Sequence, residues 1–134
     1  MQNLISANFD KYLFYLKELV SLRSDFINPE KVKIAINYCK QVFAENLKNY
    51  EIYFDAENNL IAKPFKIDNA KEIVYLSAHI DTADANENEW SPPYHPYKPY
   101  EDANEIVARG VNDCKAGVSY QLFLTYLAKE KLID

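Results

Sequence analysis

An α/β layered domain is what this sequence predicts, from three features. Helix-period apolar stripes lie toward both ends of the chain, and two short strand-like runs lie between them. A nearly unbroken apolar run, Ile73-Val74-Tyr75-Leu76-Ser77-Ala78, then has the continuity of a central strand covered on both faces. At 134 residues, 49% of them hydrophobic, residues 1 to 134 form one domain with enough apolar content for a core.

Phe9, Tyr12, Leu13, Leu16, Leu19 and Val20 recur at helical spacing, so an amphipathic helix spans roughly residues 8 to 22, with Asn8 or Ser6 as its cap. Ser21 to Asp25 breaks it. Asn28-Pro29-Glu30 then pairs a capping side chain with a proline at the first helical position, and Val32, Ile36, Cys39, Val42, Phe43 and Leu47 line a second helix to about Lys48. Both stripes read as core. Tyr50 to Phe54 and Leu60 to Phe65 read as a hairpin around the polar turn Asp55 to Asn59.

Ile67 to Glu72 is a polar connector into the apolar run. From Thr82 to Asn104 the chain turns acidic and rich in proline and tyrosine, a long loop in which no ladder is expected. Ile106 to Arg109 is short and β-prone. A last helix runs from Lys115 to about Lys131 on Val118, Leu122, Phe123, Tyr126 and Leu127.

The net charge of −5 and the absence of a Lys/Arg cluster argue against nucleic acid, whose nonspecific affinity is built from such clusters. Neither a signal-like N-terminus nor a run long enough to span a bilayer is present, so no membrane partner is expected and the reading is cytoplasmic. Cys39 and Cys114 are unpatterned and fit reduced thiols.

The residues with chemistry gather around His79-Ile80-Asp81 and Gly110 to Lys115. Alternation along a strand points His79 and Asp81 the same way, at the carboxyl end where open α/β sheets place ligands. A neutral imidazole is the commonest zinc ligand, and a nearby carboxylate can hold its other nitrogen. Taken singly, each residue has a plainer reading. His79 could be a satisfied core histidine, and Asp113 could cap the helix that follows. His95 reads as solvent-facing, Cys114 as a packing residue ahead of a soft metal ligand, and Lys115 and Arg109 as solvated charges that could attract an anion. Cys114 with a histidine is too thin a case for a cysteine hydrolase. The chain has two glycines, Gly110 and Gly117, both in this region, which suggests special backbone geometry there.

In sequence, an apolar strand, His79-Ile80-Asp81-Thr82, an acidic loop with Trp90-Ser91-Pro92-Pro93-Tyr94, and Ala108-Arg109-Gly110-Val111-Asn112-Asp113-Cys114-Lys115-Ala116-Gly117 follow one another. This order resembles the N-terminal catalytic segment of the M20 metallopeptidases, which include acetylornithine deacetylase, succinyl-diaminopimelate desuccinylase, aminoacylase and carboxypeptidase G2. The resemblance covers about residues 8 to 130 and is specific from Ile73 to Gly117. It implies a three-layer α/β/α zinc-peptidase-like domain. His79 matches the histidine on one zinc, Asp113 the carboxylate bridging two zincs, and Asp81 the catalytic aspartate that orients the histidine. The Asp113-Cys114 peptide is then expected to be cis. Ala108 departs from the family's first glycine, Ala83-Asp84 from a common Val-Pro, and Cys114 from a frequent methionine.

The activity so implied is hydrolysis of the amide bond of a small N-acyl amino acid or peptide, by water activated at two zinc ions, with cobalt as a substitute metal. The proton-shuttling glutamate of those enzymes belongs to a Glu-Glu pair some thirty residues beyond the bridging aspartate, and this sequence contains no such pair. No hydrolysis is therefore expected from this polypeptide alone. It reads as the N-terminal portion of a catalytic domain, with the lid or dimerisation domain absent. The alternative is a non-catalytic remnant or interaction module. The expected partners are a second copy of the chain or a complementing C-terminal fragment.

Overall fold

The computed structural model describes residues 2–67 and 72–133. The first predicted helix is two, α1 (Gln2–Ala7) and α2 (Phe9–Ser21), divided at Asn8. Asn8 does not cap α2. Its side-chain amide donates to the Leu4 carbonyl at 3.0 Å and so closes α1 instead. The second helix, α3 (Pro29–Asn46), starts on its proline, and the Asn28 carbonyl, not its side chain, takes the first N–H groups, those of Lys31 and Val32. The last helix, α4 (Ala116–Lys129), lies where its apolar period puts it.

These three long helices make the core. Tyr15 and Leu19 of α2, Cys39, Val42 and Phe43 of α3, and Val118, Leu122, Phe123 and Leu127 of α4 are buried together with Leu47. Tyr15 was not among the expected stripe residues, while Phe9, which was, is 46% exposed. Asn46 ties α3 to α4 by donating to Thr125 Oγ1 at 3.1 Å, so its buried amide is not left without a partner. Cys39 packs as a small apolar residue, and burial pushes its thiol up to about 12. Both cysteines are free.

The predicted hairpin forms. β1 (Tyr50–Phe54) pairs antiparallel with β2 (Leu60–Pro64), Tyr50 opposite Pro64 and Phe54 opposite Leu60. Asp55 holds the turn by accepting from the N–H groups of Glu57 and Asn59. Residues 68–71 of the expected polar connector lie outside the described residues.

The apolar run Ile73 to Ala78 is not a buried, paired strand, contrary to expectation. No ladder partner flanks it among the described residues, and Ile73, Val74 and Tyr75 are 70, 79 and 86% exposed. Hydrophobicity can only favour burial where neighbouring strands supply hydrogen bonds and covering layers, and none of the described residues does so. Its far end, however, is anchored. Ser24 Oγ donates to the Ile80 carbonyl at 2.7 Å, Thr82 N–H to the Ser24 carbonyl at 2.9 Å, and Phe26 N–H to the Thr82 carbonyl at 3.0 Å. A parallel bridge between Asp25 and Thr82 results, and His79 lies three residues before it.

The loop that follows is irregular through its prolines, with a cis bond at Pro92-Pro93. A ladder nevertheless forms inside the stretch where none was expected. β3 (Tyr100–Glu101), directly after Pro99, pairs antiparallel with β4 (Ile106–Val107). Once the prolines end, the backbone N–H groups needed for pairing are available again. No helix among the described residues is long and apolar enough to cross a membrane.

Candidate metal centre

His79 stands between two carboxylate residues. Its Nε2 lies 2.8 Å from Asp113 Oδ1, and its Nδ1 lies 3.0 Å from the Asp81 carbonyl and 3.3 Å from Asp81 Oδ1. The three predicted residues are thus brought together, although the strand expected to carry two of them is unpaired. Burial pushes the imidazole pKa down, but the Asp113 hydrogen bond, the Asp81 carbonyl and the two negative charges outweigh it and raise it above the ordinary value. A neutral ring that donates from Nδ1 to Asp81 would turn the Nε2 lone pair toward an ionised Asp113. Two acceptors facing each other at this range require a cation between them, either a proton or a metal.

Asp113 is free for this because it does not cap α4. The helix begins at Ala116 without a side-chain cap, after a wide turn in which the N–H of Lys115 reaches the Gly110 carbonyl at 2.9 Å and that of Ala116 reaches Val111. Asp113 and Cys114 leave helical geometry inside the turn, and the peptide bond between them is cis, as the family resemblance implies.

Gly110 starts the turn with φ at +83°, and a Cβ there would sit 2.6 Å from Thr82 Cγ2. Gly117 has a different use: close approach to Cys114 Sγ and Ala78.

Lys115 corrects a second expectation. It is not a solvated charge but 1% exposed, with Nζ donating to the carbonyls of Leu19 at 2.9 Å and Leu22 at 2.7 Å. These are carbonyls at the end of α2, where a helix leaves acceptors unpaired and favours a cation. Burial pushes the Lys115 amine down to about 8. The residue therefore pins the Asp113 turn to the end of α2. A lysine at the start of an apolar helix gave no sequence signal of this, since its partners lie more than ninety positions earlier.

A second polar cluster, missed in the sequence, holds the acidic loop. Arg23 pairs with buried Asp25, with Asp84 at 3.3 Å and with Glu87 at 3.8 Å, and lies over the Tyr97 ring. Burial pushes the Asp25 carboxyl up, but Arg23, its own backbone and Lys31 hold it below the ordinary value. His95 is not solvent-facing. Its Nδ1 accepts from the Tyr97 N–H at 3.0 Å, which leaves Nε2 to donate to Glu87 at 3.2 Å. The loop so held places Trp90 beside Ala83, Ala108, Arg109, Gly110, Val111, Asn112 and Asp113 around a cavity of about 240 Å³.

No family model matches the chain, and no curated protein or solved structure matches it. A test of fit for zinc therefore rests on the donors themselves. Among the described residues, His79, Asp113 and Cys114 are the group whose nitrogen, oxygen and sulfur atoms lie within 4.8 Å of one another. Zinc held by His and Asp at about 2.1 Å in a tetrahedral angle needs N and O roughly 3.4 Å apart. The present 2.8 Å must open by about 0.6 Å. Both side chains are more than half exposed and can make that adjustment. Imidazole, carboxylate and thiolate are all zinc donors, so the residues fit.

Proposed function

We propose that this chain carries part of the zinc centre of an M20-type amidohydrolase, within the N-terminal portion of a three-layer α/β/α catalytic domain. The observation that carries the reading is His79 held at Nδ1 by the Asp81 backbone carbonyl, with the Asp81 carboxylate 3.3 Å away and Nε2 aimed at Asp113. His79 and Asp113 would hold the metal, with Cys114 within reach, and Asp81 is the positioning residue that fixes the imidazole tautomer. Zinc supplies a Lewis acid for an amide carbonyl and a lowered pKa for water. The substrate class is a small N-acyl amino acid or peptide.

No Glu joins the His79, Asp113 and Cys114 group among the described residues, so the ligand set for a second ion and a general base come from outside it. The experiment is zinc titration by calorimetry with metal analysis of the dialysed protein. Stoichiometric zinc is expected, with binding lost in His79→Ala and in Asp113→Ala. Failure to retain metal at saturating zinc would sink the reading.

A second reading, a non-catalytic interaction module, is favoured by the open run Ile73 to Leu76. It predicts self-association in light scattering and binding of a hydrophobic dye. A monomer that binds no dye counts against it.

A further inference from the structure

We propose that Cys114 is a third protein ligand of the metal held by His79 and Asp113, so that one ion sits on an imidazole, a carboxylate and a thiolate. This rests on the metal centre read above and adds the donor that sets its choice of metal. The chain's two free cysteines stand in opposite settings. Cys39 is 3% exposed inside the core of α2, α3 and α4, and burial pushes its thiol up to about 12. Cys114 is half-buried, lies outside that core, and has His79 and Asp113 beside it. A thiol whose role is packing belongs in the first setting.

The imidazole and the carboxylate already require a cation. His79 Nε2 and Asp113 Oδ1 face each other at 2.8 Å, and in the tautomer that donates from Nδ1 to Asp81 both are acceptors. A sulfur stands next to that pair, with the ligand atoms of all three residues within 4.8 Å of one another. Zinc at about 2.1 Å from nitrogen or oxygen and about 2.3 Å from sulfur sets tetrahedral N···S and O···S spacings of roughly 3.6 Å. The sulfur therefore closes by at most about 1.2 Å. A small turn about the Cys114 Cα–Cβ bond, with two partners more than half exposed, covers that distance.

The fold keeps the sulfur in reach. An ideal Cβ on Gly117 would come 3.1 Å from Cys114 Sγ and 3.4 Å from the Ala78 Cβ. The sulfur thus lies in the seam between the residue before His79 and the first turn of α4, where the missing side chain of Gly117 leaves it room. Ser24 anchors the segment that carries His79, and Lys115 pins the turn that carries Asp113 and Cys114.

Binding exchanges a proton for the ion: the S–H bond breaks, an S–Zn bond forms, and the proton passes to the buffer. A thiolate in the donor set favours zinc over magnesium, calcium and manganese, which prefer oxygen. Three protein donors leave the fourth tetrahedral position open, the ligand number of catalytic zinc and not of structural zinc.

The test titrates cobalt(II) into the full, reduced chain and follows absorption together with equilibrium dialysis. A near-ultraviolet thiolate-to-cobalt charge-transfer band is expected, rising in step with bound cobalt. It should be lost in Cys114→Ala and kept in Cys39→Ala. Zinc affinity should fall by more than about 100-fold in Cys114→Ala, beyond the range for a lost outer partner.

Cobalt bound without the band would overturn the proposal and spare the site on His79 and Asp113. A band that survives in Cys114→Ala would overturn it as well, and no cobalt bound at all would sink both readings. Alkylation of the wild-type chain decides the matter if a variant fails to fold. At zinc ten times its dissociation constant, iodoacetamide should modify Cys114 about tenfold more slowly, as mass action requires. Equal rates with and without zinc, read by peptide mass, would refute the ligand role.

Discussion

Replacing Lys115 with methionine removes an ammonium that closes α2 and leaves its acceptors behind. Buried ionic groups exchanged for apolar ones of similar size are sometimes neutral or stabilising, but only when both partners go. Here the partners are backbone carbonyls, and they stay. The Leu19 and Leu22 carbonyls would each lose a donor at 2.9 and 2.7 Å, next to a side chain that is 0% exposed at Leu19. An unsatisfied buried acceptor costs about 1–3 kcal/mol, so two cost about 2–6 kcal/mol. The desolvation of the ammonium, which depresses its pKa to about 8, is relieved and returns part of that. A net loss of about 2–4 kcal/mol remains. Urea denaturation followed by circular dichroism measures it as a lower midpoint at unchanged slope. Lys129→Met, on the exposed end of α4, serves as the control and should stay within about 0.5 kcal/mol. A Lys115→Met midpoint equal to or above wild type would refute the capping role.

Gly110→Ala forces a side chain into a left-handed turn against Thr82 Cγ2, and a stability loss of about 1–3 kcal/mol is expected by the same assay. Asp25 has a folded-state pKa below its unfolded value, so its contribution is present above about pH 4 and is lost as the pH falls through the lower folded value. Asp25→Asn should therefore flatten the acid side of the stability profile, and an unchanged acid side would count against the Arg23 cluster. Tyr75→Ser tests the unpaired run. At 86% exposure it should change stability by no more than about 0.5 kcal/mol, whereas a residue packed in a central strand would cost several times as much. For the metal centre, Asp81→Ala should weaken zinc binding by no more than about tenfold, the low end of a lost outer partner, since the variant loses the carboxylate oxygen 3.3 Å from Nδ1 but keeps the carbonyl that holds the ring at 3.0 Å. Calorimetry showing no change would remove Asp81 from the positioning role.

Local pattern was enough for the three long helices and the hairpin. Periods of 3.6 and 2 and the Asn28-Pro29 start signal depend on neighbours within a few residues, and α2, α3, α4, β1 and β2 lie where those signals put them. The identity of His79, Asp81 and Asp113 as one group was also legible, through motif order. The rest depended on partners remote in sequence. Whether Ile73 to Ala78 is covered is decided by what lies beside it, and periodicity carries no such information. Asp113 reads equally as a cap or a ligand until the turn from Gly110 to Lys115 swings its carboxylate to His79 instead of α4. Lys115 and Arg109 are both single cations near the same glycine in the sequence. Only the fold buries one against the end of α2 and leaves the other without a described ion-pair partner beside Trp90, because a charge's environment is set by the groups that surround it in space.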